Sequence, residues 1–443
     1  MASHQSPPRG ATVGTARMMV MLVTSEGLTD PRIVRSMHAA RRAGFGIRLV
    51  CRSRADGHEE QAAPEGTHLH RVARLPGLRG LKRAFAGRSA ASETGRESGA
   101  VSPRTAGPFW FRPWELWILG GIAWFTWQAV MKVRRFPADL YHANDLDTLP
   151  AGVILSRLKR VPLLYDAHEL YADQFGGASR QFRAILFGLE HRLIRFAHRV
   201  VTVNRSLAET LTAWHAVPLP SIVMNCPFAP DPRRNGTGAL RAPHGASPGR
   251  AARVIYQGIF WRDRGLEELI RSAAWYESAE LYLRGYGDLE PALRALVKAE
   301  GLEARVHFLP PVAPDRLVES LAGFDVGVVP YRPTNLNNRF CLPNKVFEYL
   351  QAGLALAASA LPELERVVKE TGVGELFDPE QPHDIARAIN ILTRDAGRLA
   401  DLQGRARILG RERYTWEARG EPSLLACYRE LTEPVSAAPE VGH

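Results

Sequence analysis

Short apolar runs alternate with amphipathic stretches along most of this chain. Residues 18–24 (MMVMLVT) are apolar over the length of one strand. Asp30 and Pro31 then supply a cap and a first-turn proline. Ile33, Met37 and Ala40 form a helical stripe, and Gly44 stops it. Residues 47–51 read as a second strand, which completes a strand–helix–strand unit, the start of a parallel sheet. A weaker strand is expected at 68–72. The alternation continues with strands at 139–142, 163–166, 199–204 and 222–225 and helices at 147–159 and 182–197. Ser206 stands where it would cap the next helix.

The pattern breaks at 229–250 (APDPRRNGTGALRAPHGASPGR), which is crowded with Pro and Gly and has no period, so it reads as a linker. Strands then return at 253–257, 280–284, 306–309, 325–330 and 354–359, with helices at 265–274 and 289–299 among them. The prediction is two doubly wound, Rossmann-like α/β domains joined by a hinge, at 18–228 and 251–415. A chain of 443 residues is too long for one ordinary core, which agrees with that division. A mobile insertion is expected at 76–108, and flexible ends at 1–17 and 433–443. A cleft between two such domains is a default ligand site.

Composition changes this picture in two places. The net charge is +11, and residues 79–135 hold ten Lys/Arg against three Glu, a local excess of +7. Such an excess suits an anionic membrane surface, a phosphorylated substrate or nucleic acid, and equally a solvated Arg-rich loop. No nucleic-acid module accompanies it, so nucleic acid is not an expected partner. Five of nine tryptophans fall between Trp110 and Trp127, beside Arg112, Lys132, Arg134 and Arg135. Residues 114–131 could form a buried helix, a helix lying on a membrane interface within 109–135, or a short span. Cys51, Cys226, Cys341 and Cys427 are far apart, without metal-ligand spacing. That spacing, with a polar N-terminus, points to a cytoplasmic protein without a metal site, peripheral on the inner membrane face if the tryptophan helix touches lipid.

The strongest chemical signal is LPNKVFEYLQAG at 342–353. Pro343 fits a first helical turn and Gly353 a C-terminal cap. The free N–H groups after Leu342, Pro343 and Asn344 and the helix dipole make an anion site, to which Lys345 adds a full charge. Glu348, one turn deeper on the same face, suits ribose hydroxyls. A surface Lys–Glu pair on an ordinary helix would look the same. Two further loops raise the odds of a nucleotide. Arg264 lies in GIFWRDRG after the first strand of the second domain, where a bidentate grip on phosphate is expected. Gly285 and Gly287 (GYGD) follow the next strand and would let a base or ribose approach the backbone.

Residues 256–379 resemble the C-terminal half of retaining GT-B glycosyltransferases of the family 4 type, through YQGIFWRDRGLEELI, LRGYGDLE, VHFLPPV, FDVGVVPY and LPNKVFEYLQAGLALAAS. More loosely, DPRIVRSMHAARRAGFGIRLV, YHANDLDTLPAG, LLYDAHELYAD and VTVNRSLAETL resemble the N-terminal half. The resemblance implies a GT-B fold, with a nucleotide-diphosphate sugar as co-substrate, an acceptor hydroxyl on a glycan or a lipid-linked glycan, and no metal or other cofactor. Arg264 and Lys345 would neutralise the leaving diphosphate and Glu348 would bind ribose. His168 in DAHELY matches the active-site histidine and would stabilise charge on the transferred sugar. A helix at 416–432 would return to the first domain. Two departures stand out. Phe340 occupies the place of the first glutamate of the family's paired-glutamate motif, so Asn337, Asn338 or backbone near Leu342 would take over sugar contacts. The glycine-rich loop after the first strand becomes Ser25-Glu26-Gly27-Leu28-Thr29-Asp30, which makes Ser25 and Glu26 candidate sugar or acceptor contacts. Asp145 and Asp147 are further candidates, or simply helix caps. An epimerase or phosphorylase of the same fold, or a silent sugar-nucleotide-binding scaffold, are the competing readings.

Overall fold

Two all-parallel sheets carry the chain. The first holds β1 (Arg17–Leu22), β2 (Phe45–Arg52), β3 (Thr67–Val72), β4 (Leu140–Asn144), β5 (Leu163–Ala167), β6 (Arg199–Thr202) and β7 (Ser221–Ile222), in the order β3-β2-β1-β4-β5-β6-β7. The second holds β8 (Ala252–Ile259), β9 (Ala279–Tyr286), β10 (Val306–Leu309), β11 (Val326–Val329), β12 (Ala355–Ser359) and β13 (Gly374–Phe377), in the order β10-β9-β8-β11-β12-β13. The computed structural model describes residues 17–28, 30–53, 66–75, 111–230 and 250–433. Of the segments expected to be flexible or mobile, 1–16, 76–108 and 434–443 lie outside the described residues, as does nearly all of the linker; Arg17, expected in the flexible end, begins β1.

Helices cover both faces of each sheet, so the strands are apolar at almost every position rather than alternating. In β1, Val20 and Leu22 enter one core with Tyr141, Ile122 and Phe125, while Met19 and Met21 enter the opposite core with Ile33, Met37 and Ile47. This order puts the ends of β1, β4 and β5 together at one carboxyl edge, and those of β8, β9 and β11 at the other. The two edges face the same cleft.

Local chemistry shifts several predicted boundaries. Helix Arg205–His215 is capped by Asn204, whose side chain accepts from Leu207 N–H at 2.9 Å, and not by Ser206. Ser206 N–H instead donates to Glu363 of the second domain at 2.8 Å. The helix expected at 182–197 is Arg180–Leu193, capped by Ser179 and followed by a separate turn, Ile194–Phe196. Pro343 is the extended cap residue (φ −73°, ψ 149°) of helix Asn344–Ala352 rather than part of its first turn. Helices Pro382–Thr393 and Ala396–Glu412 and the edge strand β13 lie beyond the last strand read from the sequence.

The last helix, Glu421–Thr432, crosses to the first domain. Trp416, Leu424 and Tyr428 share a core with Met19, Ile33 and Ile47. Buried Glu421 pairs with His38 at 3.0 Å and with Arg42 at 2.5 Å, and the Tyr428 hydroxyl meets His142 Nδ1 at 3.0 Å. A second contact lies at the mouth of the cleft. Asn337 accepts from Leu170 N–H at 2.7 Å and donates to Leu170 C=O at 3.0 Å, while Asp173 accepts from Leu336 N–H at 2.6 Å.

Candidate active site

On the second-domain edge, β8 leads through Arg264 into helix Leu266–Ser272. Gly265 has φ 64°, and a Cβ there would lie 2.0 Å from Pro330 C=O, so only glycine permits this turn. The turn lays the Arg264 guanidinium 4.1 Å from the centre of the Tyr331 ring. Helix Asn344–Ala352 brings Lys345 to the same ring at 5.1 Å and to Tyr256 at 3.8 Å. Among the described residues neither cation has a carboxylate within ion-pair distance; Arg264 has only Asn338 Oδ1 at 3.4 Å. Burial, with Arg264 close by, holds the Lys345 amine well below its ordinary range, although Glu348 and Cys341 act the other way. Two adjacent cations over aromatic faces, unneutralised and partly desolvated, form a site that an anion of more than one charge would relieve.

Glu348 lies one turn deeper, half-buried, and accepts from the Gln257 amide at 3.3 Å. Burial raises its carboxyl, against the pull of Lys345 and Gln257. Gly285 and Gly287 are required where two strand-end loops meet. A Cβ on Gly285 would sit 1.8 Å from Gly258 C=O, and one on Gly287 2.3 Å from Phe260 C=O. These glycines let two strand-end loops pack backbone to backbone beneath the cations.

On the first-domain edge, His168 stands between two carboxylates. Its Nδ1 is 3.0 Å from Asp145 Oδ2 and its Nε2 3.3 Å from Asp166 Oδ2. The second contact lacks hydrogen-bond geometry, so Nε2 has no hydrogen-bond partner. Burial alone would lower the imidazole; Asp145 and Asp166 outweigh it and hold it well above the usual value. Asp145 reaches this place by taking φ 61°, and its Oδ1 accepts from His168 N–H at 3.0 Å. Thr148, not either aspartate, occupies the cap position of the following helix. Asp166 is fully buried and gripped by Arg32 at 2.9 and 3.0 Å; burial raises its carboxyl, but Arg32, His168 and His142 bring it well below the ordinary range. Asp147 is pushed up to about 6 by burial and by Asp145, while its bond from Thr24 opposes the shift. The Glu169 carboxyl interacts with His168 on its own side and with Arg264 across the cleft, so the two edges confront each other.

Known proteins settle the family. Residues 251–395 match the family described as "Glycosyl transferases group 1", and residues 30–227 match the "Glycosyl transferase 4-like domain". The chain is 30% identical over 290 residues to the D-inositol 3-phosphate glycosyltransferase of Rhodococcus jostii, covering 61% of this chain and 62% of that relative's length. Among solved structures it superposes on sucrose-phosphate synthase from Thermosynechococcus elongatus, with a TM-score of 0.68, 19% identity and 94% and 99% coverage. It also superposes on Anabaena HepE in complex with UDP-glucose, at 0.60, 16%, 93% and 99%. The chain belongs to the group 1 glycosyl transferases. Its fold is GT-B, two Rossmann-like domains facing one cleft.

In this glycosyl transferase the departures from the family's motifs have structural reasons. Phe340 packs with Leu336 against the first-domain core, and its C=O accepts from Asn204 at 2.8 Å. Asn337 bonds both backbone groups of Leu170, which places it at the contact between the domains. Asn338 does point at Arg264. Asn344 accepts from Asn225 at 2.8 Å, a further bond between the domains. In the altered loop, Ser25 meets Asp30 at 3.3 Å and Glu26 pairs with Arg74 at 3.3 Å. Sequence reasoning missed Asp166, Arg32 and Arg35. The Arg35 guanidinium is 5% exposed, has Nε and Nη2 unpartnered, and is lowered to about 10 by burial and by Arg32, with Glu348 pulling the other way. The one available signal was Asp166 itself, two residues before His168 at the end of an apolar strand.

The tryptophan-rich segment is helix Pro113–Val133, part of the first domain. Buried Glu115 accepts from Ser179 N–H and Oγ at 2.6 and 2.7 Å, and Gln128 bonds Ala73 at 2.9 and 3.1 Å. The helix is long and apolar enough to cross a membrane by length and composition, but a span would break these bonds. Its outer face leaves Leu116, Trp127 and Met131 between 46% and 57% exposed.

Proposed function

We propose that this chain moves a hexosyl group from a nucleoside-diphosphate sugar to an acceptor hydroxyl, with retention. The observation that carries this reading is the pair Arg264 and Lys345, unneutralised over Tyr331 and facing His168. In the transfer, the bond from the anomeric carbon to the diphosphate oxygen breaks. The bond to the acceptor oxygen forms, and the acceptor proton passes to the departing diphosphate. Arg264 and Lys345 take up the charge that appears on the leaving group, and no metal is invoked. The His168 imidazolium stabilises charge on the transferred sugar through its positive charge, and Glu348 holds the ribose. Asn338, beside Arg264, and Asp145, beside His168, are candidates for sugar or acceptor contact. Ser25 and Glu26 line the same edge.

The acceptor side is the first domain. Exposed Trp127 and Met131, with Lys132, Arg134 and Arg135 at the end of their helix, suit contact with an anionic membrane from the cytoplasmic side. That contact favours a lipid-linked or envelope glycan as acceptor. The test is release of nucleoside diphosphate from UDP-, GDP- and ADP-hexoses with a membrane-lipid extract, followed by measurement of the product's anomeric coupling. Transfer with an unchanged anomer is expected. An inverted anomer would overturn retention. Nucleotide binding without turnover would favour a silent scaffold.

A further inference from the structure

A second basic site lies away from the cleft. A cavity of about 460 Å³ opens where helix Leu149–Lys159 ends and the turn Ile194–Phe196 begins. It sits at the amino edge of β5 and β6, on the end of the sheet opposite His168. Arg157, Arg160, Arg195, Phe196 and His198 line it. Residues 149–162 and 191–199 hold six Lys/Arg and no Asp or Glu. Arg157 lies 4.2 Å from the centre of the Phe196 ring, and Arg195 meets only His191 at 3.1 Å. Among the described residues none of these three arginines has a carboxylate partner. His198 Nδ1 accepts from Leu163 N–H at 3.2 Å, which leaves its Nε2 as a donor. A helix C-terminus favours one nearby cation. It gives no reason for three cations from two segments to converge on one cavity.

We infer that this cavity binds the phosphate of an anionic glycerophospholipid headgroup. Arginine forks match phosphate oxygens, and the cavity is lined by three guanidiniums and no carboxylate. The apolar surroundings favour lipid over free phosphate. Ile154 and Leu158, on the helix that ends at the cavity, are 46% and 59% exposed. The helix packed against it, Pro113–Val133, exposes Trp127 and Met131 as well. The inference deepens the membrane contact proposed above and is independent of the transfer chemistry.

The test is flotation of the full chain with phosphatidylcholine vesicles, with and without phosphatidylglycerol, alongside titration with inorganic phosphate. R157Q/R160Q/R195Q is compared with K132Q/R134Q/R135Q, which removes the same charge from the next helix end. Phosphatidylglycerol-dependent binding should fall on the order of tenfold more in the first variant than in the second. UDP binding should stay unchanged in both. Equal losses would mean unspecific attraction and overturn the site, leaving membrane contact standing. Wild-type indifference to vesicles would sink both the site and the contact. Inorganic phosphate saturating the cavity without vesicle binding would assign free phosphate and refute the lipid.

Discussion

Replacing Lys345 with Met separates stability from ligand binding. The amine is buried beside Arg264, and burial has moved it well below its ordinary range. Met keeps the length of the stem but not the charge. The loss of the contact with Tyr256 costs about 0.5–2 kcal/mol. Relief from desolvation and from the neighbouring guanidinium is larger, because an unpaired buried charge costs several kcal/mol. The unliganded variant should therefore be more stable by roughly 1 kcal/mol, about 2–4 °C in melting temperature for domains of this size. The sign with pH follows from linkage. The unfolded lysine binds its proton more tightly than the folded one, so wild-type stability gains as pH rises toward the unfolded value, and its gap to the Lys345→Met variant closes. Nucleoside diphosphate binding should weaken at the same time. A lost charge-assisted contact is worth about 1.5–3 kcal/mol, or roughly 10- to 150-fold in Kd. Scanning fluorimetry across pH and calorimetric titration of UDP read both effects. A Lys345→Met protein that melts lower without ligand, or that binds UDP as tightly as wild type, would refute this reasoning.

Three more outcomes follow from the same geometry. Arg32→Met leaves buried Asp166 without its guanidinium partner, with only His168 and His142 beside it, and should cost about 3 kcal/mol in urea denaturation; a loss under about 1 kcal/mol would show that Asp166 does not depend on Arg32. His168 carries a raised folded value, so its contribution to stability is complete below the unfolded value and is lost as pH climbs through the folded one. His168→Gln should flatten that slope and lower kcat by about 100-fold or more, and an unchanged pH profile would contradict the imidazolium. Asn337→Ala removes two hydrogen bonds between domains, each worth about 1 kcal/mol, and should speed limited proteolysis and raise KM; unaltered proteolysis would count against a strapping role.

Much of the architecture was legible because it is local. Lys345, Arg264 and His168 each stand at a strand end or helix start, with Glu348 one turn further along the helix of Lys345, and apolar strands and capping residues mark those places within a dozen residues. What escaped reading depends on partners far apart in the chain. Arg32 and Asp166 are 134 residues apart, and Asn337 and Leu170 are separated by 167. Glu421 meets His38 across 383. Phe340 looks like a lost carboxylate in sequence, yet in the fold it docks one domain on the other. Gly285 and Gly287 signalled close approach, and the neighbouring loop, distant in sequence, is one approaching partner. Asn204 reads as the end of a strand, yet its side chain caps the next helix.

Calorimetric titration of UDP against uridine, in wild type and in R264Q/K345M, isolates the diphosphate grip. Wild type should bind UDP at least about 100-fold more tightly than uridine, and the double variant should lose most of that ratio while uridine affinity is kept. A ratio that survives in the double variant would place the diphosphate elsewhere and contradict the account.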